Sequence, residues 1–285
     1  MHVINAMNVN DGFYQLTQLL ASNEKLSYDE VLSDGGLYRR FKAPVTVIYR
    51  NPNQRFLYHP IVNLDPYKQI LDGLNWLHNY KVTAGKICKN LSLNSISVSD
   101  VEKEPAGARA VFEVVDGAVD VKIFFTVTSS LFTREEVFRI SLMQEYVSSK
   151  LMLPMGRLYY IACANYIPKD DAGIRVIESV INNPQSYYNF YLDSHKVTSL
   201  FDDGKPLDAW DEDLEKFLNG GDLNDIKFEH SLFFGSVMTP LFLSYQAYQA
   251  YKGCRMERAL EYAEAINSPD IGRACVLWLE RVYGV

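Results

Sequence analysis

The sequence predicts an α+β fold in one domain. Strand-like segments crowd the middle of the chain, helical patterns occupy both ends, and strands and helices do not alternate as βαβ units would. The sharpest single signal is a hairpin. Ala108 to Val115 and Val119 to Val127 flank Asp116-Gly117, and a two-residue Asp-Gly turn suits the twist of paired strands. No repeat, low-complexity tract or linker divides the chain, so residues 1–285 read as one unit with a helical C-terminal extension over 206–285.

Each element has its own local reason. Residues 10–22 read as a helix: Asn10 and Asp11 are capping types, and Phe13, Leu16, Leu19 and Leu20 fall at helical spacing. Pro44 to Tyr49 is β-branched and reads as a strand. Asn51-Pro52-Asn53 marks a turn, and Arg55 to His59 a returning strand. Asp65-Pro66 opens a helix to about Tyr80, with the stripe Ile70, Leu74 and Leu77. Thr133 and Glu136 form a capping box that starts a helix to about Met152. Gly156 to Ile167 reads as one strand, and 186–200 holds two shorter strand candidates. From Pro206 onward the pattern is helical, and Ser268-Pro269 starts the last helix, to about Tyr283.

Composition narrows the function classes. Apolar residues are 48% and charged residues 22%, which fits a globular chain and excludes a disordered or collagen-like one. The net charge of −7 removes any global attraction to nucleic acid. Cys88, Cys163, Cys254 and Cys275 include no C-x-x-C pair, so reduced thiols and a cytoplasmic setting are expected, with Cys163 in the core of its strand. MHVINAMNVND lacks the basic and apolar regions of a signal peptide. Ser231 to Tyr251 is uncharged and long enough to span a bilayer. Its Gly, Pro, Gln and Tyr content makes it a buried core helix instead, and no membrane partner is expected.

Local motifs for metal or phosphate chemistry are weak. The five histidines form no H-x-x-H, so no metal site is expected. The acidic run Asp202 to Glu215 lacks EF-hand spacing and reads as a solvated helix start, and Asn219 to Asp222 reads as a turn. Arg39, Arg40 and Lys42 read as a solvated basic loop or as an anion contact. Tyr159 and Tyr160, with Tyr187, Tyr188 and Tyr191, suit either an interface or a core edge. Tyr245, Tyr248 and Tyr251 mark one helix face turned to the core.

Three segments carry a resemblance. PVTVIYRNPNQRFLYHPIVNLDPYKQILDGLNWLHNY (44–80), EPAGARAVFEVVDGAVDVKIFFTVTSSLF (104–132) and EEVFRISLMQEYVSSKLMLPMGRLYYIACANYIP (135–168) together resemble the thymidylate synthase and pyrimidine-nucleotide hydroxymethylase family. The C-terminal RACVLWLERVYG is similar to the end of its phage-type branch. The resemblance implies a mixed sheet packed on long helices, a small-residue turn at Gly156 and a dimer built on a twisted sheet. It also implies a chemistry: a thiolate adds to C6 of a pyrimidine, a glutamate manages protons, and arginines clamp the phosphate.

Placed on this chain, the chemistry positions are changed. The nucleophile position falls at Ala106, the glutamate at Gly73 before Trp76, and two phosphate arginines at Thr126 and near Asp34. The base-reading Asn falls at Glu136 or Val137, and the ribose His and Tyr fall at Tyr166 and Pro168. A methyl group cannot add to a pyrimidine, and an aspartate repels a phosphate. Ala106, Gly73 and Thr126 are thus vestigial positions and carry no catalysis. Asp34, Arg39, Arg40, Trp76, Glu136, Arg139 and Tyr166 are the cleft candidates. No cofactor is expected, and folate binding follows only from the family.

Three functions compete. The first is a non-catalytic homodimer or heterodimer partner of an active relative, tied to pyrimidine nucleotide or DNA-base modification. The second is a repurposed pyrimidine-modifying transferase with Glu136, Tyr166, Asp34 and Arg139 as its new residues. The third is a protein- or nucleic-acid-binding module, its nucleic-acid form disfavoured by the charge.

Overall fold

A computed structural model describes residues 1–22, 27–31, 35–41, 43–52, 55, 66–100, 108–125, 128–129, 133–169, 175, 178, 182, 238–266 and 269–284. In chain order the elements are β1 (His2–Ala6), α1 (Val9–Ser22), β2 (Ser27–Val31), β3 (Leu37–Phe41), β4 (Val45–Tyr49), α2 (Pro66–Asn79), α3 (Lys81–Ser92), β5 (Ser97–Asp100), β6 (Arg109–Val115), β7 (Ala118–Phe125), β8 (Thr128–Ser129), α4 (Thr133–Leu151), β9 (Met155–Ala162), β10 (Asn165–Pro168), α5 (Met238–Lys252), α6 (Met256–Glu264) and α7 (Pro269–Tyr283).

The main sheet is mixed and six-stranded, in the order β1-β4-β9-β7-β6-β5. β1 runs parallel to β4, and β7 parallel to β9 across the helix α4. The hairpin β6–β7 turns at Asp116 and Gly117, with φ of 50° and 78°. Two consecutive positive φ values are what the Asp-Gly turn supplies without strain. A smaller sheet has the order β2-β3-β10-β8.

Alternation along the main sheet divides its two faces. Val45, Val47 and Tyr49, then Leu158, Tyr160 and Ala162, then Val121, Ile123 and Phe125, are buried on one face, against α1, α3 and α4. The other face carries Val3, Ile48, Tyr159, Ile161, Phe124 and Val98, which are half-buried or exposed. The C-terminal helices join through rings. Tyr248 stacks on Tyr67 at 5.4 Å, and Tyr251 meets Trp278 edge-on at 5.0 Å. The tyrosine stripe of α5 therefore faces the core, as its spacing predicts.

Several expectations are corrected. The chain begins with a strand before α1, and β2, β3 and β5 were not legible. α3 follows α2 after Tyr80 alone, in a segment with few apolar residues to mark it. The stretch 156–167 is two strands, not one. It breaks at Cys163 and Ala164, and β10 leaves the main sheet to pair with β3. Cys163 is consequently exposed at that corner, not a core residue. Arg39 and Arg40 lie in strand β3, not in a loop. Arg55 belongs to no strand and is buried, and residues 56–59 lie outside the described residues. The strand candidates in 186–200, the acidic run, Asn219 to Asp222, Lys42 and residues 206–237 also lie outside them. No described helix is long and apolar enough to cross a membrane.

Candidate functional site

Three of the cleft candidates meet. Trp76 from α2, Ala108 just before β6, Ile123 and Phe125 from β7, and Glu136, Arg139 and Ile140 from α4 line one cleft. The spacing of 136, 139 and 140 puts all three on one face of the first turns of α4. Trp76 is held in place by stacking on Tyr80, with ring centroids 4.7 Å apart. The cleft is narrow: its cavity volume is about 10 Å³, room for about one water and far below the range of small-molecule sites. Its walls are mostly apolar, with Glu136 and Arg139 as the charged groups.

The vestigial positions stand next to this cleft in sequence. Ala106 precedes Ala108 by two residues and Thr126 follows Phe125, but Ala106, Thr126 and Asp34 lie outside the described residues. Gly73 is placed elsewhere. It is buried where α2 crosses α4, and a Cβ there would come within 2.6 Å of both Leu142 and Phe138. The bare glycine is thus a close-packing residue of the helix pair.

The remaining candidates form a second cluster, in the small sheet. Arg39 faces Asp29 at 3.5 Å and Lys169 faces the same carboxylate at 2.6 Å. Those cations hold the Asp29 carboxyl below its usual value, the Lys169 contact most of all. Arg40 faces Glu30 at 3.5 Å and lies over the rings of Tyr28 and Tyr166, 5.9 and 5.5 Å from their centroids. The Tyr166 hydroxyl donates to Glu30 at 3.4 Å, and burial pushes its pKa up. Both arginines therefore already face carboxylates across the β2–β3 pair. An anion would have to compete with these acids.

Four buried polar residues escaped the sequence reading. Arg55 pairs with Glu145 of α4 inside the core. Gln144 Nε2 reaches the backbone oxygens of Val119 at 2.7 Å and of Gly156 and Arg157 at 3.3 Å. Asp120 accepts from the Arg157 amide at 2.7 Å. The one sequence signal was the polar pair Gln144-Glu145 between the apolar pairs Leu142-Met143 and Tyr146-Val147. Among the described residues, no group of three His, Cys, Asp or Glu gathers to hold a metal ion.

No family model matches the chain, and no curated protein matches it.

Proposed function

We propose that this chain is a thymidylate-synthase-like scaffold that has lost methyl or hydroxymethyl transfer and works as a non-catalytic subunit. The observation that carries the reading is the convergence of Trp76, Glu136 and Arg139 on one cleft, beside the sequence positions of Ala106 and Thr126. Trp76 and Glu136 were drawn from separate segments of the resemblance and meet there, whereas Gly73 and Tyr166, drawn from it as well, lie elsewhere. The lining side chains offer no thiol or hydroxyl among the described residues. The half-open sheet face of Ile48, Tyr159, Ile161 and Phe124 supports self-association or pairing with an active relative. Of the two neighbouring tyrosines, Tyr160 serves the core and Tyr159 the open face.

The test has two arms. Proton NMR follows exchange at C5 of dUMP and dCMP with the purified protein, and a thermal-shift titration follows binding of the same nucleotides. The reading expects no exchange. A dimer by light scattering that is lost in Ile161→Glu supports the subunit role. Exchange at C5 overturns the reading in favour of a repurposed transferase, which the charged pair Glu136 and Arg139 in an apolar cleft would serve. A monomer at all concentrations, alone and with an active relative added, overturns the subunit role.

A further inference from the structure

A second cleft, sharing no residue with the first, runs between α3 and the end of α4. Lys81, Val82, Gly85 and Cys88 line it from α3, and Tyr146 and Lys150 from α4. Positions 81, 85 and 88 repeat at helical spacing, so they form one face of α3. The cleft offers about 490 Å³, within the range of small-molecule sites.

Three features give it a chemistry. The first is charge. α3 carries Lys81, Lys86 and Lys89 and no acid, in a chain whose net charge is −7. Lys150 adds a cation from the facing helix. The second is an apolar bed. The buried Tyr146 ring lies under the Lys150 ammonium at 5.7 Å, and Val82 stands exposed at the rim. The third is Gly85. Glycine weakens a helix interior, and here no atom lies within 4 Å of where its Cβ would be. No neighbour in the protein demands the missing side chain. Its absence leaves the floor of the cleft clear.

We propose that this cleft binds an organic phosphate, with Lys81 and Lys150 holding the phosphate and Tyr146, Val82 and Gly85 bedding its apolar body. Lysine serves here as a point charge, which suits a phosphate group without demanding a planar fork. The inference does not depend on the subunit role proposed above.

Cys88 is a built-in reporter because its half-buried thiol lines the cleft. The experiment measures alkylation of each cysteine by mass spectrometry with phenyl phosphate, inorganic phosphate or potassium chloride at equal ionic strength. Phenyl phosphate at roughly ten times its dissociation constant should slow Cys88 about tenfold, since only the free cleft reacts. Exposed Cys163 and Cys254 should be unaffected. The Lys81→Gln/Lys150→Gln double variant and Gly85→Leu should each lose the protection, relative to their own ligand-free rates, with the lysine variant keeping the wild-type melting profile and Gly85→Leu melting no lower. Equal slowing by potassium chloride overturns the site. Retained protection in the lysine variant overturns the role of the cations. Equal protection by inorganic phosphate overturns the organic body. If the lysine variant unfolds, Lys150→Arg replaces it and must retain protection, and its loss there also counts against the proposal.

Discussion

Gly156 turns its bare Cα to the Asp120 carboxylate. A Cβ at 156 would overlap Asp120 Oδ1, the same oxygen that accepts from the Arg157 amide at 2.7 Å. The two strands shift register at this point, between Val119 and Val121. A bulge that buries a carboxylate therefore needs a glycine opposite it. Gly156→Ala should cost about 1–3 kcal/mol, as overpacking does. In an Asp120→Ala background the same change should cost little. Urea unfolding of the four proteins checks this, and strictly additive costs would refute the contact.

Asp120 should also leave a mark on stability against pH. Burial raises its pKa, against the pull of the Arg157 amide. The folded chain then keeps this proton to higher pH than the unfolded chain does. Its contribution to stability is full below about pH 4 and is lost as the pH climbs through the raised value. Asp120→Asn removes that loss, so the variant should gain on the wild type as the pH rises from 4 to 7. Parallel denaturation curves across that range would count against it.

The buried pair of Arg55 and Glu145 makes a different prediction. Glu145→Gln removes the carboxylate that faces a buried guanidinium, which should cost about 3–5 kcal/mol. Replacing both residues with apolar ones of similar size, as in Arg55→Met/Glu145→Leu, should recover most of that loss. Chemical denaturation decides it: a double variant as unstable as the single one would mean the pair does more than satisfy itself.

Gly73 tests the fate of the old glutamate position. Its Cβ direction already meets Phe138 and Leu142, so even Gly73→Ala should cost about 1–3 kcal/mol. Gly73→Glu should lower the melting temperature further and restore no transfer activity. A circular-dichroism melt unchanged by Gly73→Ala would mean that α2 and α4 do not approach so closely.

Where local chemistry decides structure, the sequence was legible. Asp116-Gly117, Pro66, Thr133 and Pro269 each act on their own backbone, and α2, α4, α7 and the β6–β7 hairpin appear where those residues put them. Where partners decide it, the sequence was mute. β10 breaks from β9 because the small sheet offers it β3 as a partner, a fact no window around Cys163 contains. Arg39 and Arg40 looked like a basic loop because their acids, Asp29 and Glu30, lie ten residues back, across a strand pair. Trp76 and Glu136 were named through the spacing of a resemblance, and Arg139 as a candidate for a rebuilt cleft. Glu145 was missed because a buried charge is legible only with its distant partner, Arg55.

The order of the main sheet also dictates an order of assembly. β6, β7, α4 and β9 are contiguous in sequence, so their pairings close short loops. β4 meets β9 only after a loop of about a hundred residues is closed, at a higher entropic cost. Among the described strands, β1 in turn has only β4 to pair with in that sheet. The half that emerges first from synthesis therefore waits for the middle of the chain. Until β9 exists, β4 can pair with β1 but keeps its other edge open, and the nascent chain is at its most vulnerable to wrong pairing.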